Sequence, residues 1–469
     1  MTLTIRARND TVRARFYSLR RDAVYNTAKG RDLTGNRTQK KIRALPCPNT
    51  QPDLQKGSRS HMNHAKMELH FSPCVLQGTI RYTLDLDTAP FFILDDRFRI
   101  TELTDDAGKE LHYQKVPDSA PLRRQSCYTS KPSDTGKYTI KFESNGPFQQ
   151  YPTQRKRSDR YNFFAEDRII LYDNYLCFFP RLDFPDGPMR MSGHPIPCVY
   201  EPLTAYGLED YEVYFAEKNT DGTCTIRMPK QDCYMVYALR KGSYFEAQCG
   251  RFRALTQKKN ERKNAQAIAQ TNDDVLNWYN ENLYREKPVQ CDFQLMSLGF
   301  IHRRNAYVRD YLTVYENFRL PADICESYIP HELGHLWCIS GTFSAAGFLD
   351  EGGAEWSAEI YRYHHNHESF EKHRKDYEKW SERYWKKLCR EQDSRKNPVS
   401  PNRHLLGFRF FNRIYQRFDL DTVGRCILCY ALPDVQSPEE FLKRMRSTEP
   451  DAVYDFVQRE TQDILRRFP

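Results

Sequence analysis

Two histidines four residues apart, His331 and His335, could offer two imidazole nitrogens to one metal ion. On an α-helix, residues at this spacing stand one turn apart on the same face. Zn²⁺ accepts neutral imidazole and carboxylate ligands. Glu332 projects beside the pair, where it could take a proton from a water molecule on the metal. The pattern therefore predicts a zinc ion that activates water, and the alternative is a pair of ordinary helix histidines.

A second acidic motif follows, with the sequence LDEGGAEW at 349–356. Together the two motifs resemble the gluzincin metallopeptidases, and among them the leukotriene-hydrolase/alanyl aminopeptidase group, whose second motif is roughly Asn-Glu-Gly-x-Ala-Glu. The resemblance implies that His331, His335 and Glu351 are zinc ligands and that Glu332 is the general base. The specific motifs are confined to about 331–356.

Two further site residues are implied by the same resemblance. Glu355 lies one helical turn after Glu351, where it would hydrogen-bond a ligand histidine, although a surface carboxylate is the alternative interpretation. The family's catalytic Tyr precedes a Lys-Gly pair at a helix start, and the matching stretch here is HLLG at 404–407. His404 would then occupy the Tyr position and stabilise the oxyanion.

The sequence departs from the family pattern in two other places. Fifteen residues separate His335 from Glu351, where the family usually has eighteen. The family's Gly-x-Met-Glu-Asn segment, whose Glu grips the free amine of the substrate, should lie upstream. The stretch GFIHRRN at 299–305 contains no acid, and Glu316 is a poorly placed alternative.

The activity that the resemblance implies is peptide-bond hydrolysis by a zinc-dependent, aminopeptidase-like metallopeptidase that acts on a peptide substrate. The alternative is a catalytically inactive protein of the same fold that binds peptides or partners. Whether the enzyme would trim chain ends or cut internally, and its oligomeric state, do not follow from the sequence.

The elements that must position these residues change in type along the chain. Alternating residues such as Ile80, Tyr82 and Leu84 predict short strands. Helical spacing dominates after 351, and the polar stretch 257–272 is either a linker or an exposed helix. The predicted class is α+β: an antiparallel β domain over 67–255, then a catalytic domain that the resemblance makes thermolysin-like over 256–400, completed by a helical segment over 401–469.

The charge of the chain is unevenly distributed. The chain has 71 Lys and Arg and 62 Asp and Glu, a net charge of +9, and residues 1–66 alone hold fifteen basic and four acidic residues. We interpret 1–66 as a basic, disordered arm. It is either a tether to nucleic acid or an anionic membrane, a solvated tail, or upstream sequence that the native start codon omits. An organelle transit peptide is a further alternative, although no strong amphipathic face supports it. Because the remaining chain is nearly neutral, nucleic-acid binding is not expected.

The cysteine content and the apolar runs of the sequence indicate the cellular compartment of the protein. The 14 cysteines are dispersed, which indicates reduced thiols in a cytoplasmic protein. No apolar run reaches the roughly 18 residues of a membrane span, and none has the pattern of a secretory signal.

Three other features have two interpretations each. Cys426 and Cys429 form one CxxC pair, which is either a metal or redox site or two buried small hydrophobes. The histidines at 364, 365 and 367 form either a metal cluster or a solvated helix face. Pro330 lies either inside a helix, where it costs about 3 kcal/mol or a kink, or in its first turn.

Overall fold

The computed structural model describes residues 63–85, 90–116, 125–148, 162–172, 177–183, 198–227, 234–299, 306–309, 311–319, 322–338, 347–393, 402–431, 435 and 437–467. The chain divides into two units, 1–51 and 52–469. The predicted basic, disordered arm over 1–66 lies outside the described residues up to 62. The prediction is wrong for 63–66, which begin the strand Asn63–Phe71, because Asn63 and Ala65 alternate with exposed residues and are buried. Most of the stretch 299–305 also lies outside the described residues.

Strands fill the described part of the chain up to residue 240. Their bounds are β1 Asn63–Phe71, β2 Leu76–Thr83, β3 Phe91–Asp95, β4 Phe98–Thr104, β5 Tyr113–Lys115, β6 Gln125–Ser130, β7 Lys137–Ser144, β8 Phe163–Ala165, β9 Arg168–Tyr172, β10 Arg181–Asp183, β11 Cys198–Tyr200, β12 Leu203–Tyr206, β13 Tyr211–Val213, β14 Ala216–Lys218, β15 Cys224–Ile226 and β16 Met235–Arg240.

These strands form three sheets, whereas the sequence predicted one antiparallel sheet. The largest has the order β14-β15-β12-β1-β2-β7-β4, with β11 also paired to β1; the others run β10-β3-β6-β5 and β13-β16-β9-β8. Most pairs are antiparallel, but β1 pairs in parallel with both β11 and β12. Residue alternation identifies a strand and its buried face, but it does not identify a partner more than 120 residues away.

A fourth sheet leads into the helical part. Its strands are β17 Phe245–Cys249, β18 Phe252–Thr256, β19 Phe293–Ser297, β20 Ala306–Arg309 and β21 Leu312–Tyr315, in the order β17-β18-β19-β21-β20. β18, β19 and β21 are parallel neighbours. The strands β20 and β21 pair with each other in antiparallel orientation.

The described residues contain eight α-helices. They are α1 Arg262–Trp278, α2 Ala322–Gly334, α3 Gly347–His365, α4 His367–Asp393, α5 Arg403–Arg417, α6 Leu420–Tyr430, α7 Pro438–Thr448 and α8 Asp451–Arg467. The polar stretch that the sequence left open belongs largely to α1, which buries Ala265, Ile268 and Ala269. The architecture is therefore a mixture of several sheets and helices.

The buried residues fall into two large hydrophobic clusters. One is built mainly from the three sheets of the strand-rich part, and includes Met67, Ile80 and Ile140. The other joins the fourth sheet to the helices, and includes Leu333, Trp356 and Phe411. The second cluster surrounds the helices that carry both sequence motifs. None of the described helices combines the length and apolar character that crossing a membrane requires.

Candidate metal centre

The first motif lies at the C-terminal end of α2. His331 and Glu332 are in the helix, which ends at Gly334, so His335 occupies the turn that follows. In this turn the backbone N–H of His335 donates to the Glu332 carbonyl, a three-residue spacing that tightens the helix end. Of the two positions considered for Pro330, the structure has the one inside the helix.

Two glycines let α3 pack tightly against the end of α2. A Cβ on Gly334 would lie 3.0 Å from the Cα of Ala354, and one on Gly353 would lie 2.7 Å from the Cys338 Sγ. Side chains at either position would push the two segments apart. The close packing holds the second motif beside the first.

On its other side, α3 contacts α5 through a second pair of glycines. A Cβ on Gly352 would lie 2.6 Å from the Cα of Gly407. His404 lies one turn before Gly407 in α5, and its backbone position is further fixed by the Asn402 side chain, which accepts a hydrogen bond from Leu405 N. Glu351 and Glu355 of α3 therefore stand between the imidazoles of α2 and the imidazole of α5.

Three imidazoles surround one carboxylate oxygen, the Oε2 of Glu351. The Nε2 of His331 lies 3.6 Å from it, the Nε2 of His335 lies 3.4 Å from it, and the Nδ1 of His404 lies 3.2 Å from it. Two ligand atoms bound to one tetrahedral zinc ion at 2.0–2.1 Å are roughly 3.3–3.4 Å apart. The spacing of these donors therefore suits a shared metal ion.

The hydrogen bonding of Glu351 tests whether a metal fits. Its Oε2 is buried and has no hydrogen-bond partner, although three nitrogens lie within 3.6 Å. An orphaned buried carboxylate oxygen is costly unless something compensates it. In the metal-free protein His335 and His404, whose pKa values are raised to about 9, are protonated and compensate this oxygen, and a divalent cation held by Glu351, His331 and His335 would replace those protons. Imidazole with carboxylate is a donor set typical of zinc. The residues present fit the ion.

The orientation of His335 is set by a backbone group. Its Nδ1 lies 3.1 Å from the carbonyl oxygen of Cys338, which can only accept. The proton of a neutral His335 therefore resides on Nδ1, and the lone pair resides on Nε2, the atom that faces Glu351. Such a partner fixes the tautomer of a metal-binding histidine.

Glu355 contacts two imidazoles with its two oxygens. Its Oε2 lies 3.7 Å from the His331 Nδ1, and its Oε1 lies 3.2 Å from the His404 Nδ1 as a hydrogen-bond partner. Only 12% of its side chain is exposed. The surface-carboxylate interpretation of Glu355 is therefore wrong.

Burial and charge move the pKa values of the cluster in different directions. Burial lowers the pKa of His331 to about 4, so this imidazole is neutral at pH 7. Burial also lowers the pKa of His335 and of His404, but nearby carboxylates outweigh it and raise each pKa to about 9. Burial raises the pKa of Glu351, but the three imidazoles outweigh it, and its pKa lies well below the ordinary value.

A buried ionic network that the sequence did not predict lies beyond Glu355 on α3. Glu359, one turn further along α3, pairs with Arg362 and with the Nδ1 of His373 on α4. Glu359 and Arg362 are almost completely buried. The i, i+4, i+8 spacing of Glu351, Glu355 and Glu359 is the signal that could have found it, because it places all three on one face of the helix.

The remaining sequence features lie away from the centre. Cys426 and Cys429 are buried in the helical core, as expected for small hydrophobes. Exposed histidine rings stack on aromatic neighbours, as His365 does on Tyr361 at a centroid distance of 3.9 Å. Within the described residues, the donor atoms that all lie within 4.8 Å of one another are those of His331, Glu351 and His404; His335 is 3.4 Å from Glu351 but is not a member of this group. Glu316 is buried at the end of β21.

The chain is similar to known proteins in the course of its backbone. No family model matches the sequence, and no curated protein does. Among solved structures, an M1 zinc metallopeptidase from Deinococcus radiodurans has 12% identity and a TM-score of 0.46, over 86% of this chain and 94% of that one. A mutant of such an enzyme bound to a Tyr-Ser-Ala substrate, also from Deinococcus radiodurans, has 12% identity and a TM-score of 0.47, over 85% and 93%.

Yeast LTA4 hydrolase in complex with bestatin also has 12% identity, with a TM-score of 0.49, over 86% of this chain and 65% of that one. At these values the likenesses carry no functional argument.

Proposed function

We propose that the protein is a zinc-dependent metallopeptidase that hydrolyses peptide bonds. The observation that carries this proposal is the orphaned Oε2 of Glu351, which has two motif imidazoles at 3.4 and 3.6 Å. Glu332, a buried carboxylate, lies between these histidines in sequence. A metal-assisted hydrolase requires at least a cation site and a nearby group that can accept a proton.

In this proposal His331, His335 and Glu351 hold the ion. Zinc, when bound, supplies Lewis acidity that polarises a carbonyl and lowers the pKa of water toward 7. Glu332 accepts the proton of the attacking water and passes it to the leaving amine. The charge of Glu355 orients the His331 ring in this proposal, since its Oε2 lies 3.7 Å from the Nδ1, beyond a hydrogen bond, whereas the Cys338 carbonyl orients His335 through a hydrogen bond.

His404 supports the oxyanion in this scheme, as the resemblance implied. Its Nδ1 is directed at Glu351 and Glu355, so Nε2 is the nitrogen left to donate to a substrate oxygen. We further propose a thermolysin-like arrangement of the catalytic part and an aminopeptidase-like preference for peptide substrates.

The state of the cysteines supports a proposal for the cellular compartment in which the protein acts. Eleven of the cysteines are free thiols in the structure. Free thiols are typical of reducing compartments. We therefore propose that the protein acts in the cytoplasm.

The test compares Glu332→Gln with wild type for zinc content and for digestion of a peptide library read by mass spectrometry. The expected result is about one zinc per chain in both proteins and hydrolysis by wild type alone. Glu326→Gln is the matched control, because Glu326 is an exposed carboxylate on the same helix.

Three outcomes would count against the proposal in different ways. Hydrolysis retained by Glu332→Gln would reject Glu332 as the base. Zinc in wild type without hydrolysis of any peptide would favour the inactive, peptide-binding alternative. Wild type free of zinc after loading would reject the metal centre.

A further inference from the structure

We propose that His404 is a fourth, displaceable ligand of the metal, which caps the ion in the resting protein and is released when substrate arrives. This inference rests on the zinc centre proposed above and adds a regulatory role to the same site. It assigns to His404 a contact with the metal in addition to its contact with substrate.

The imidazole of His404 lies close to the Glu351 carboxylate. The Nδ1 of His404 is 3.2 Å from the Oε2 of Glu351, which is closer than the nitrogen of either motif histidine. The donor atoms of His331, Glu351 and His404 all lie within 4.8 Å of one another, as a metal site requires. By position, His404 is as well placed for the ion as the histidines of the motif.

The contact between His404 and Glu351 is not a hydrogen bond. Although His404 Nδ1 is so near, Glu351 Oε2 has no hydrogen-bond partner, so the two atoms are not joined by a hydrogen bond of acceptable angle. Two ligands of one metal ion have this spacing without a hydrogen bond between them, and in the metal-free protein the two groups form an ion pair. A zinc site with three protein ligands keeps one position open, and His404 is beside it.

His404 has a second partner in Glu355. Its Nδ1 also lies 3.2 Å from the Oε1 of Glu355, here as a hydrogen bond. When it is not on the metal, the His404 Nδ1 can therefore stay bonded to Glu355. The His404 side chain is 49% exposed, so protein does not enclose the ring on all sides.

The backbone of His404 is held while its ring has room to move. The contact between Gly352 and Gly407 fixes the first turn of α5 against α3. Because its Nδ1 is 3.2 Å from both Glu351 and Glu355, the imidazole stands between the proposed ion and the carboxylate that binds it after release. In the released position Nε2–H is free for the substrate oxyanion, so capping and oxyanion support are successive roles of one side chain.

The experiment loads wild type and His404→Ala with Co²⁺ as a spectroscopic replacement for zinc. It then records the visible absorption bands and the rate of metal loss to a chelator. Loss of a ligand is expected to shift the bands and to speed metal loss by about tenfold or more, since even partners that only orient ligands contribute 10–100-fold. His70→Ala is the matched control, because it removes an exposed imidazole that stacks on Tyr206 in the strand-rich part.

A band position and a chelation rate that match wild type would overturn the proposal, whatever happens to peptide hydrolysis. Unchanged metal properties with a lower kcat would leave His404 as an oxyanion donor alone. If wild type takes up no Co²⁺ at all, the zinc centre itself fails, which is a different result from a wild type that binds metal identically to His404→Ala.

Discussion

Gly352 of α3 and Gly407 of α5 meet backbone to backbone: a Cβ on Gly352 would lie 2.6 Å from the Cα of Gly407. Glu351 precedes one of these glycines and His404 lies one turn before the other. The contact that joins the helices therefore also sets the 3.2 Å separation between the Glu351 and His404 side chains. Site geometry and helix packing are coupled at this point.

The coupling predicts that Gly407→Ala damages both stability and site. A Cβ there would lie 2.2 Å from the Phe348 carbonyl oxygen, so the helices must separate. We expect a loss of about 1–3 kcal/mol in the free energy of unfolding, measured with urea. Gly424→Ala is the control, because its Cβ would meet only ordinary contacts at 3.8 Å and beyond. Equal stability of the two variants would contradict the account.

Zinc affinity should rise with pH. The pKa of His335 in the metal-free protein is raised to about 9, so the imidazole is protonated at pH 7 and must lose that proton to bind. Affinity is therefore expected to increase from pH 6 to about 9 and then level off. Calorimetric titrations in buffers of different ionisation enthalpy would measure the released proton. Affinity that does not change between pH 6 and 8 would contradict a protonated His335.

The same raised pKa predicts how the metal-free protein responds to pH. A histidine whose folded pKa exceeds its unfolded value stabilises the fold below the unfolded pKa, and this stabilisation is lost as pH rises through the folded pKa. The contribution of the His335–Glu351 pair should thus decline between about pH 6.5 and 9. Urea unfolding of wild type and His335→Gln across this range gives the difference, which should shrink with rising pH.

Glu355→Gln should weaken metal binding without unfolding the protein. The carboxylate faces the Nδ1 of His331, and its charge favours the orientation in which Nε2 faces Glu351. Loss of such a partner typically costs 10–100-fold in metal affinity. Competition with a chromogenic chelator measures this, with Glu368→Gln on an exposed part of α4 as control. Identical affinities for both variants would show that Glu355 does not orient a ligand.

Glu359 should matter for stability. Glu359→Ala leaves the buried guanidinium of Arg362 without this carboxylate, and breaking a buried pair in this way typically costs about 3–5 kcal/mol. Replacing both residues, as Glu359→Leu with Arg362→Met, removes both charges and should recover much of the loss. Urea unfolding compares the variants, and a double variant no more stable than Glu359→Ala would contradict this reading of the network.

The sequence predicted the position of the motifs better than their surroundings. The spacing of His331 and His335 follows from helix periodicity alone, although His335 lies just past the end of α2. The resemblance singled out Glu351, Glu355 and His404, and the structure brings all three together. The predicted roles of these residues remain proposals.

Long-range contacts were not predictable. The pairing of β1 with β11 depends on which edges meet after more than a hundred residues, and alternation contains no information about that. The Cys338 carbonyl behind His335 is a backbone group, so residue type does not mark it. Tight glycine contacts between helices are likewise visible only once the helices are placed.

The most direct test is a crystal structure of the zinc-loaded protein with anomalous data collected at the zinc absorption edge. The account predicts one strong peak about 2 Å from the Nε2 atoms of His331 and His335 and from the Glu351 carboxylate. A peak elsewhere, or none at this position in a fully loaded crystal, would contradict it.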